Sequence, residues 1–370
     1  MNDKGTLSEV AKVFLKLGCT AFGGPAVHIA MMEEEVVRKR KWMTPEHFLD
    51  LVGATNLIPG PNSTEMTMHC GHERAGLKGL FVAGICFILP AVIITGALAW
   101  SYQKFGTLPA VQPFLYGIKP AIIAVIVFLM ITLGKKALKS IKLGVIGILC
   151  AILVLIGYSE IAVLFGAGFL GILLFLLKRK RNVINGFLPL FVFASANAFN
   201  FKIFFIFLKV GAILYGSGYV LFAFLEDELV STGLLTTQQL TDAIAVGQFT
   251  PGPVFSSATF IGWQLGGFTG ALAATIGIFL PSFVFVVFLN PLIPRLRKSK
   301  IMSAFLDTVN IASVAIIFAV VIEIGTMTLL DWRTVVIAII SFFVAFFFKR
   351  LNTAFIILGG SILGYLLTFL

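Results

Sequence analysis

The sequence predicts an all-α, multi-pass membrane protein made of two homologous halves, and three observations support this fold class. Of the 370 residues, 58% are hydrophobic and only 12% are charged, whereas soluble domains carry about 25% charged residues. Several apolar runs approach the roughly 20 residues that a helix needs to cross about 30 Å of hydrocarbon, and the mean hydropathy is +1.01. The same unusual pattern of residues also occurs twice along the chain.

The balance of charge fits a membrane protein better than a nucleic-acid-binding protein. The formal net charge is +11, and the cytoplasmic loops of membrane proteins are enriched in Lys and Arg, so we expect the lipid bilayer as a partner and no nucleic acid. The four cysteines show no CxxC spacing and are expected to be small packing residues. No HExxH, GxSxG, Walker or dinucleotide-binding motif occurs, so we expect neither an enzyme nor a cofactor.

Helix breakers divide the N-terminal half into its elements. A first apolar helix, Leu7 to Phe22, ends at Gly23-Gly24-Pro25, and a charged turn that we expect to be solvated follows from Glu33 to Lys41. Thr44-Pro45 is typical of a helix start, because Thr caps the helix and Pro is tolerated at its first position. This helix is predicted to break at Pro59-Gly60-Pro61, since proline lacks the N–H group that a helix needs.

A polar arm and four apolar spans complete the N-terminal half. The arm runs from Asn62 to Arg74, and a basic cluster, Lys178 to Arg181, closes the half. The predicted membrane spans are Leu80 to Trp100, Phe114 to Leu133, Leu143 to Gly157 and Ile161 to Leu177.

The C-terminal half repeats this plan at a nearly constant offset. Matching positions include Lys16 with Lys209, Asp50 with Asp242, Asn56 with Gln248, Pro59 with Pro251, Gly71 with Gly262, Gly79 with Gly270, Pro90 with Pro281 and Lys119 with Asn310. Such agreement in unusual residues is hard to obtain from composition alone. We therefore divide the chain into an N-terminal repeat at 1–181, a linker at 182–199 and a C-terminal repeat at 200–370.

The basic clusters indicate how the two halves are oriented. The loop of the second half that matches Arg38 to Lys41 has no basic residue, and the clusters move instead to Arg295 to Lys300 and to Lys349-Arg350, so corresponding loops are expected on opposite faces. We count one crossing for the first helix, none for the broken hairpin and four afterwards. The sequence thus predicts inverted-topology repeats with about ten transmembrane helices and two Pro-Gly-Pro-broken re-entrant hairpins.

The two Pro-Gly-Pro breaks are the strongest indication of a binding site. The second arm of each hairpin begins at the break, so its first N–H groups are predicted to be unpaired, and a helix N-terminus attracts anions. We therefore predict a small, multiply charged anion bound by Pro59, Gly60, Pro61, Asn62, Ser63 and Thr64, and by Pro251, Gly252, Pro253, Ser256 and Ser257. The alternative is that both triplets are kinks with packing roles only.

Ionisable residues within apolar helices form a second set of candidates, because an intramembrane charge is costly. Three lysines are expected either to neutralise the anion or to snorkel to the nearer interface: Lys16, Lys209 and Lys119. Candidates for carrying protons are His28, Asp50, Asp242 and Glu65.

Two further sets of side chains have a weaker case. Glu33 and Glu226 fit better as solvated helix-end carboxylates than as proton carriers. A metal site is raised by the helical spacing of Glu65, His69, Cys70 and His72. The second half does not repeat these ligands, so we expect no metal.

Taken together, the motifs resemble the chromate transporter family, in its long form with two fused halves. The resemblance covers nearly the whole chain and is carried by Phe22-Gly23-Gly24-Pro25, His28, Glu35, Arg38, Trp42, Phe48, Pro59 to Glu65, Gly84 to Pro90, Gly216, Pro251-Gly252-Pro253 and Leu280-Pro281. It implies secondary active export of chromate across the bacterial inner membrane, driven by the proton gradient, and chromate resistance. It also implies that Gly23, Gly24 and Gly216 belong to the substrate site.

The residues and the resemblance agree on an anion but leave alternatives open. Chromate is close to sulfate in size and charge, so another inorganic anion such as sulfate or molybdate is the alternative substrate. A membrane-embedded enzyme or a metal-binding scaffold is the alternative from another class and has no motif in its favour. Because Ser217-Gly218 replaces Gly24-Pro25 and His28 has no counterpart, any shared site is only pseudo-symmetric. The sequence does not decide between a monomer and a homodimer.

Overall fold

The computed structural model describes residues 6–22, 24–106, 112–178, 199–215, 220–289, 299–348 and 351–368, and over these residues the chain is helical without a strand. The α-helices are α1 (Leu7–Thr20), α2 (Pro25–Met32), α3 (Pro45–Thr55), α4 (Asn62–Phe105), α5 (Gln112–Ala137), α6 (Ile141–Leu155), α7 (Glu160–Lys178), α8 (Phe199–Ile213), α9 (Val220–Leu225), α10 (Thr237–Phe249), α11 (Ser257–Leu289), α12 (Lys300–Thr328), α13 (Trp332–Phe347) and α14 (Thr353–Leu367). Two π-helical segments, Glu33–Lys39 and Glu226–Val230, continue α2 and α9.

Five of the described helices are long and apolar enough to cross a membrane: α4, α5, α7, α11 and α12. Large apolar side chains such as Ile93 and Phe288 are more than half exposed on them, as expected for contact with lipid. The chain is therefore a multi-pass membrane protein. The four spans predicted for the first half correspond to the later part of α4 and to α5, α6 and α7.

Each half begins with a helical hairpin. In the first half, Lys16 Nζ lies 2.7 Å from Glu35 Oε1, and the indole N–H of Trp42 donates to Glu9 Oε1 at 3.1 Å, so α1 runs antiparallel to the chain that follows it. Lys209 and Glu228 form the equivalent ion pair in the second half. That the first helix crosses the membrane stays a prediction. The solvated turn expected after it is instead a π-helix, in which the Glu35 side chain is only 8% exposed.

The chain also reverses sharply inside both long helices that follow the breaks. Gly76 has φ 64° and ψ −156° in α4, and Gly267 has nearly the same angles, φ 60° and ψ −148°, in α11. A Cβ on Gly71 would lie 2.4 Å from the carbonyl O of Gly79, although residues eight apart in a straight helix are separated by about 12 Å. Gly262 and Gly270 repeat this contact. Residues 62–74 and 77–105 are thus two packed helical arms, and so are residues 257–265 and 268–289.

The two halves interlock instead of forming separate units. Helix α5 of the first half packs between α13 and α14 of the second, and α12 packs between α6 and α7 of the first. Glycines allow this close approach: a Cβ on Gly117 would lie 2.1 Å from the carbonyl O of Gly360, and one on Gly171 would lie 2.3 Å from Thr308 Oγ1. One apolar core contains residues of both halves.

The second arms of α4 and α11 run in opposite directions beside each other. Leu80, near the start of one arm, packs with Val286, near the end of the other. At the far end, the indole N–H of Trp263, just before the reversal in α11, donates to Gln103 Oε1 at 2.9 Å. The second arms of the two halves are therefore antiparallel neighbours.

Candidate functional site

Each Pro-Gly-Pro break is hydrogen-bonded to the other half of the chain. The N–H of Gly60 donates to the carbonyl O of Leu214, after α8, at 2.7 Å, and the N–H of Gly252 donates to the carbonyl O of Ala21, after α1, at 2.8 Å. Leu214 and Ala21 are equivalent positions of the two repeats. The N–H groups of the two glycines are therefore satisfied, and both breaks lie where the halves meet.

Only glycine fits the centre of each break. Gly60 has φ 132° and Gly252 has φ 91°, values that L residues rarely adopt. A Cβ on Gly60 would lie 2.4 Å from Glu65 Oε1 and 2.5 Å from Ser282 Oγ, and a Cβ on Gly252 would lie 3.1 Å from Ala91 Cβ. Since Ser282 and Ala91 are equivalent residues of the second arms, each break rests on the long helix of the opposite half.

Both breaks line one cavity of about 760 Å³. The first break contributes Gly60, Pro61, Asn62 and Ser63, and the second contributes Pro253, Val254 and Phe255. At about 30 Å³ per water molecule, the cavity holds roughly 25 waters. The vestibule therefore has room for a small anion and part of its hydration shell.

The first break presents the N-terminus of α4 to this cavity. The residue before the helix, Pro61, offers no capping side chain, while the N–H groups of Thr64 and Glu65 donate back to its carbonyl at 2.8 and 3.1 Å. The N–H groups of Asn62 and Ser63 have no intrahelical acceptor, because they belong to the first turn. Together with the partial positive charge of a helix N-terminus, they form a place suited to an anion.

The second break is less polar on the cavity side. Val254 and Phe255 occupy the positions of Asn62 and Ser63. Of the hydroxyls that follow, those of Ser256 and Thr259 are engaged elsewhere, and that of Ser257 is buried without a hydrogen-bond partner among the described residues. Ser256 Oγ accepts from Thr95 at 3.2 Å, and Thr259 bonds Thr275 at 2.8 Å. Of the predicted residues of this break, only Pro253 lines the cavity as described here. The anion-binding groups therefore come mainly from the first half.

Two lysines line the cavity at the end of α5. Lys139 is paired with Asp307 of α12 at 2.6 Å, whereas Lys136 has no ion pair within the described part of the chain. Asn310 and Ser303 of α12 face the same cavity. Sequence reasoning missed these groups; the match of Asn310 with Lys119 in the repeat was the one signal that pointed to α12.

The three lysines predicted to touch the anion do not line the cavity. Lys16 and Lys209 form ion pairs with Glu35 and Glu228, between the two antiparallel segments of the helical hairpin that begins each half. Lys119 is close enough to Asp242 of α10 for their charges to interact. Their role as anion ligands stays a prediction, and their observed contacts are with carboxylates.

His28 lies at the cavity and is linked to the second break. Its Nε2 lies 3.1 Å from the carbonyl O of Ala21, the acceptor that Gly252 also uses. Since a carbonyl only accepts, Nε2 carries the hydrogen in this contact. Gly24 also lines the cavity, while Gly23 and Gly216 lie outside the described residues.

The acidic candidates occupy different environments. Asp50 is exposed, Asp242 is buried and accepts from the Tyr102 hydroxyl at 2.5 Å, and Glu65 is completely buried. Glu226, expected to be solvated, is instead 8% exposed and accepts from Thr237 at 3.4 Å. Within the described residues, no group of His, Cys, Asp or Glu is arranged to hold a metal ion, including the cluster around His69.

Comparison with known proteins agrees with this architecture. The profile of the family described as "Chromate transporter" matches residues 8–172 and again residues 201–365. A chromate transport protein of Cupriavidus metallidurans is 29% identical over 97% of this chain and 92% of its own length. A probable chromate transport protein of Synechococcus elongatus is 30% identical over 97% and 95%, and a chromate transport protein of Pseudomonas aeruginosa is 30% identical over 95% and 90%. No solved structure is significantly similar to the chain.

Fold and cavity define the class, a two-repeat membrane protein whose broken helices line a vestibule between its halves. Broken helices at matching positions of two repeats are typical of transporter substrate sites. Because the family profile covers both halves, the chain belongs to the chromate transporter family.

Proposed function

We propose that this chain is a secondary active transporter that exports chromate, or a closely related oxyanion, across the plasma membrane and uses the proton gradient. The observation that carries the proposal is a single cavity that combines both Pro-Gly-Pro breaks, the N-terminus of α4 and Lys136, which forms no ion pair with the described residues. The names of the relatives support chromate as the anion. Because the sequence has no nucleotide-binding motif, an ion gradient or the membrane potential is the source of energy.

The repeats are proposed to be inverted in the membrane. The opposite directions of the second arms of α4 and α11 support this orientation, since both arms are long enough to cross. Helices α1 and α8, with 14 and 15 residues, reach only about 21 to 22 Å at 1.5 Å per residue, and α1 is followed by an antiparallel return. Helix α6, a predicted span, is equally short at 15 residues. These lengths are therefore compatible with the five crossings per half expected from sequence, and an odd number of crossings inverts the second repeat.

The conformation described is proposed to be open to the cytoplasm. The cavity extends to Lys136 and Lys139, and basic residues mark the cytoplasmic side. On the other side of the breaks, the end of α4 is held to the second half by the hydrogen bonds from Tyr102 to Asp242 and from Trp263 to Gln103. Export then requires these contacts to open while the cavity closes.

Chromate flux into or out of liposomes containing the purified protein tests this function. We expect flux that exceeds that of protein-free liposomes, responds to an imposed pH gradient and is inhibited more strongly by unlabelled chromate than by sulfate or molybdate. Stronger inhibition by sulfate or molybdate would make that anion the substrate. Flux equal to that of protein-free liposomes would refute chromate transport, and covalent turnover of an anion without movement would indicate an enzyme.

A further inference from the structure

A carboxyl group is buried directly behind the first break. Glu65 is 0% exposed, and neither of its carboxyl oxygens has a hydrogen bond of ordinary geometry among the described residues, although the Ser282 hydroxyl lies close enough to interact with the carboxyl. Among the described residues, no Lys, Arg or His forms an ion pair with the Glu65 carboxyl. An isolated buried carboxylate is very costly, so the neutral, protonated carboxyl is the form that this conformation accommodates.

The pocket around Glu65 is built from both halves. Ser282 Oγ, from the second arm of α11, adjoins the same face of Gly60 as Glu65 Oε1, and this hydroxyl also has no hydrogen bond of ordinary geometry among the described residues. Tyr215, after α8, is the titratable group whose charge would interact with Glu65. The second half has Ser257 at the position of Glu65 and the first half has Ala91 at the position of Ser282, so this pocket occurs once.

The charged groups on the neighbouring elements are occupied elsewhere. Lys16 of α1 pairs with Glu35, His28 of α2 bonds the carbonyl of Ala21, and His47 of α3 pairs with Glu73. Asp50 of α3 is exposed, and α11 contributes no charged residue. On the same arm as Glu65, His69 and His72 follow at one and about two helical turns.

The other proton candidates are less suited to the task. Asp242 already accepts from Tyr102 and has Lys119 near it, and His28 Nε2 is held by a backbone carbonyl. Asp50 is exposed to solvent. Glu65 alone among the four is a completely buried carboxyl that touches the break lining the cavity.

We infer that Glu65 carries the proton whose movement is coupled to the anion, with Ser282 as the group that hydrogen-bonds its ionised form. The inference rests on the proposed function and names its coupling site. Loss of the proton would place a negative charge immediately behind Gly60 and the anion-binding end of α4, so protonation and anion occupancy depend on each other. A proton fits better than a metal cation, because hard cations take about six or more oxygen ligands and this pocket offers one carboxyl and few hydroxyls.

The test compares two transport modes of Glu65→Gln, a neutral variant of the same shape, in liposomes. Exchange of labelled for unlabelled chromate at equal pH needs no net proton movement, whereas net flux under a pH gradient does. We expect Glu65→Gln to retain exchange within about threefold of wild type and to lose the response of net flux to the gradient. Glu73→Gln, on the same arm but at the surface, is the matched control and should keep both.

The outcomes separate this inference from the proposed function. Gradient-driven net flux that survives Glu65→Gln overturns the inference, as does loss of exchange in a variant that remains folded and monodisperse. A response that follows a sodium gradient in place of the pH gradient also overturns it. Absence of chromate exchange in wild type refutes the proposed function instead. Infrared difference spectra then still test the carboxyl: the spectrum of wild type minus that of Glu65→Gln should show the band of a protonated carboxyl, and the spectrum of wild type minus that of Glu73→Gln should not.

Discussion

Replacing Gly60 by alanine should be far more costly than replacing Gly76, although both residues have positive φ. Gly76 has φ 64° and ψ −156°, and a Cβ there would meet nothing within 4 Å, so Gly76→Ala costs only the backbone strain of about 1–3 kcal/mol. Gly60 has φ 132°, and its Cβ would lie 2.4 Å from Glu65 Oε1 and 2.5 Å from Ser282 Oγ. Backbone strain of about 1–3 kcal/mol is then joined by overpacking of about 1–3 kcal/mol.

The difference between the two variants is therefore about 2 kcal/mol, or roughly 30-fold in the folding equilibrium. The free energy of unfolding in mixed detergent micelles, with wild type, Gly60→Ala and Gly76→Ala side by side, measures it. Gly267→Ala is a second control, because that glycine has φ 60° and equally open surroundings. If Gly60→Ala unfolds no more easily than Gly76→Ala, the packing of Glu65 and Ser282 against the break is wrong.

Three further predictions concern the cavity, the junction of the halves and a helix cap. Lys136→Ala should raise the KM for chromate up to about fivefold, because a partly exposed charge contact contributes about 1 kcal/mol. Lys135 does not line the cavity, so Lys135→Ala is the control and should leave the KM unchanged. Equal effects of the two substitutions would contradict the placement of Lys136. A double variant with Thr95→Cys and Thr250→Cys, made in a background without native cysteines, should form a disulfide between the halves, because the two hydroxyl oxygens lie 3.2 Å apart. The two single variants are the control. Absence of a cross-link under oxidation would contradict the contact between the second break and α4. Hydrogen bonds from the Tyr116 hydroxyl and the Thr334 N–H hold the pKa of Asp331, in the loop before α13, below its usual value. Asp331 therefore stabilises the fold above pH ~4 and loses this effect as the pH falls further. The difference in free energy of unfolding between wild type and Asp331→Asn should shrink in acid, and a difference that grows would refute the assignment.

Much of the helical layout follows from local sequence signals. Proline removes an N–H and glycine permits positive φ, so the Pro-Gly-Pro triplets at residues 59–61 and 251–253 predict the positions of both helix breaks. Apolar runs located the spans, and the repeat paired Gly71 with Gly262 and Gly79 with Gly270. The structure gives these glycines a shared reason, because they let the two arms of α4 and of α11 touch backbone to backbone.

The features that sequence reasoning missed depend on distances between segments remote in the chain. The partners of Lys16 and Lys209 lie on the π-helical segment that runs back along each hairpin, so a lysine that looked unpaired in an apolar helix is in fact neutralised. The acceptor for the N–H of Gly60 is Leu214, which no local rule connects to the break. Lys136 gains its place at the cavity only because α5 packs against α12.

The hydrogen bonds that Gly60 and Gly252 donate to the opposite half make the two halves depend on each other for folding and movement. Neither half contains the acceptor that its own break requires, so an isolated half would leave a buried N–H unsatisfied. A displacement of either tip also has to move the first hairpin of the opposite half, whatever joins the two in sequence. A chain cut within residues 182–198 keeps both of these bonds, so co-expressed halves should find each other and work as one unit, whereas either half expressed alone should not fold.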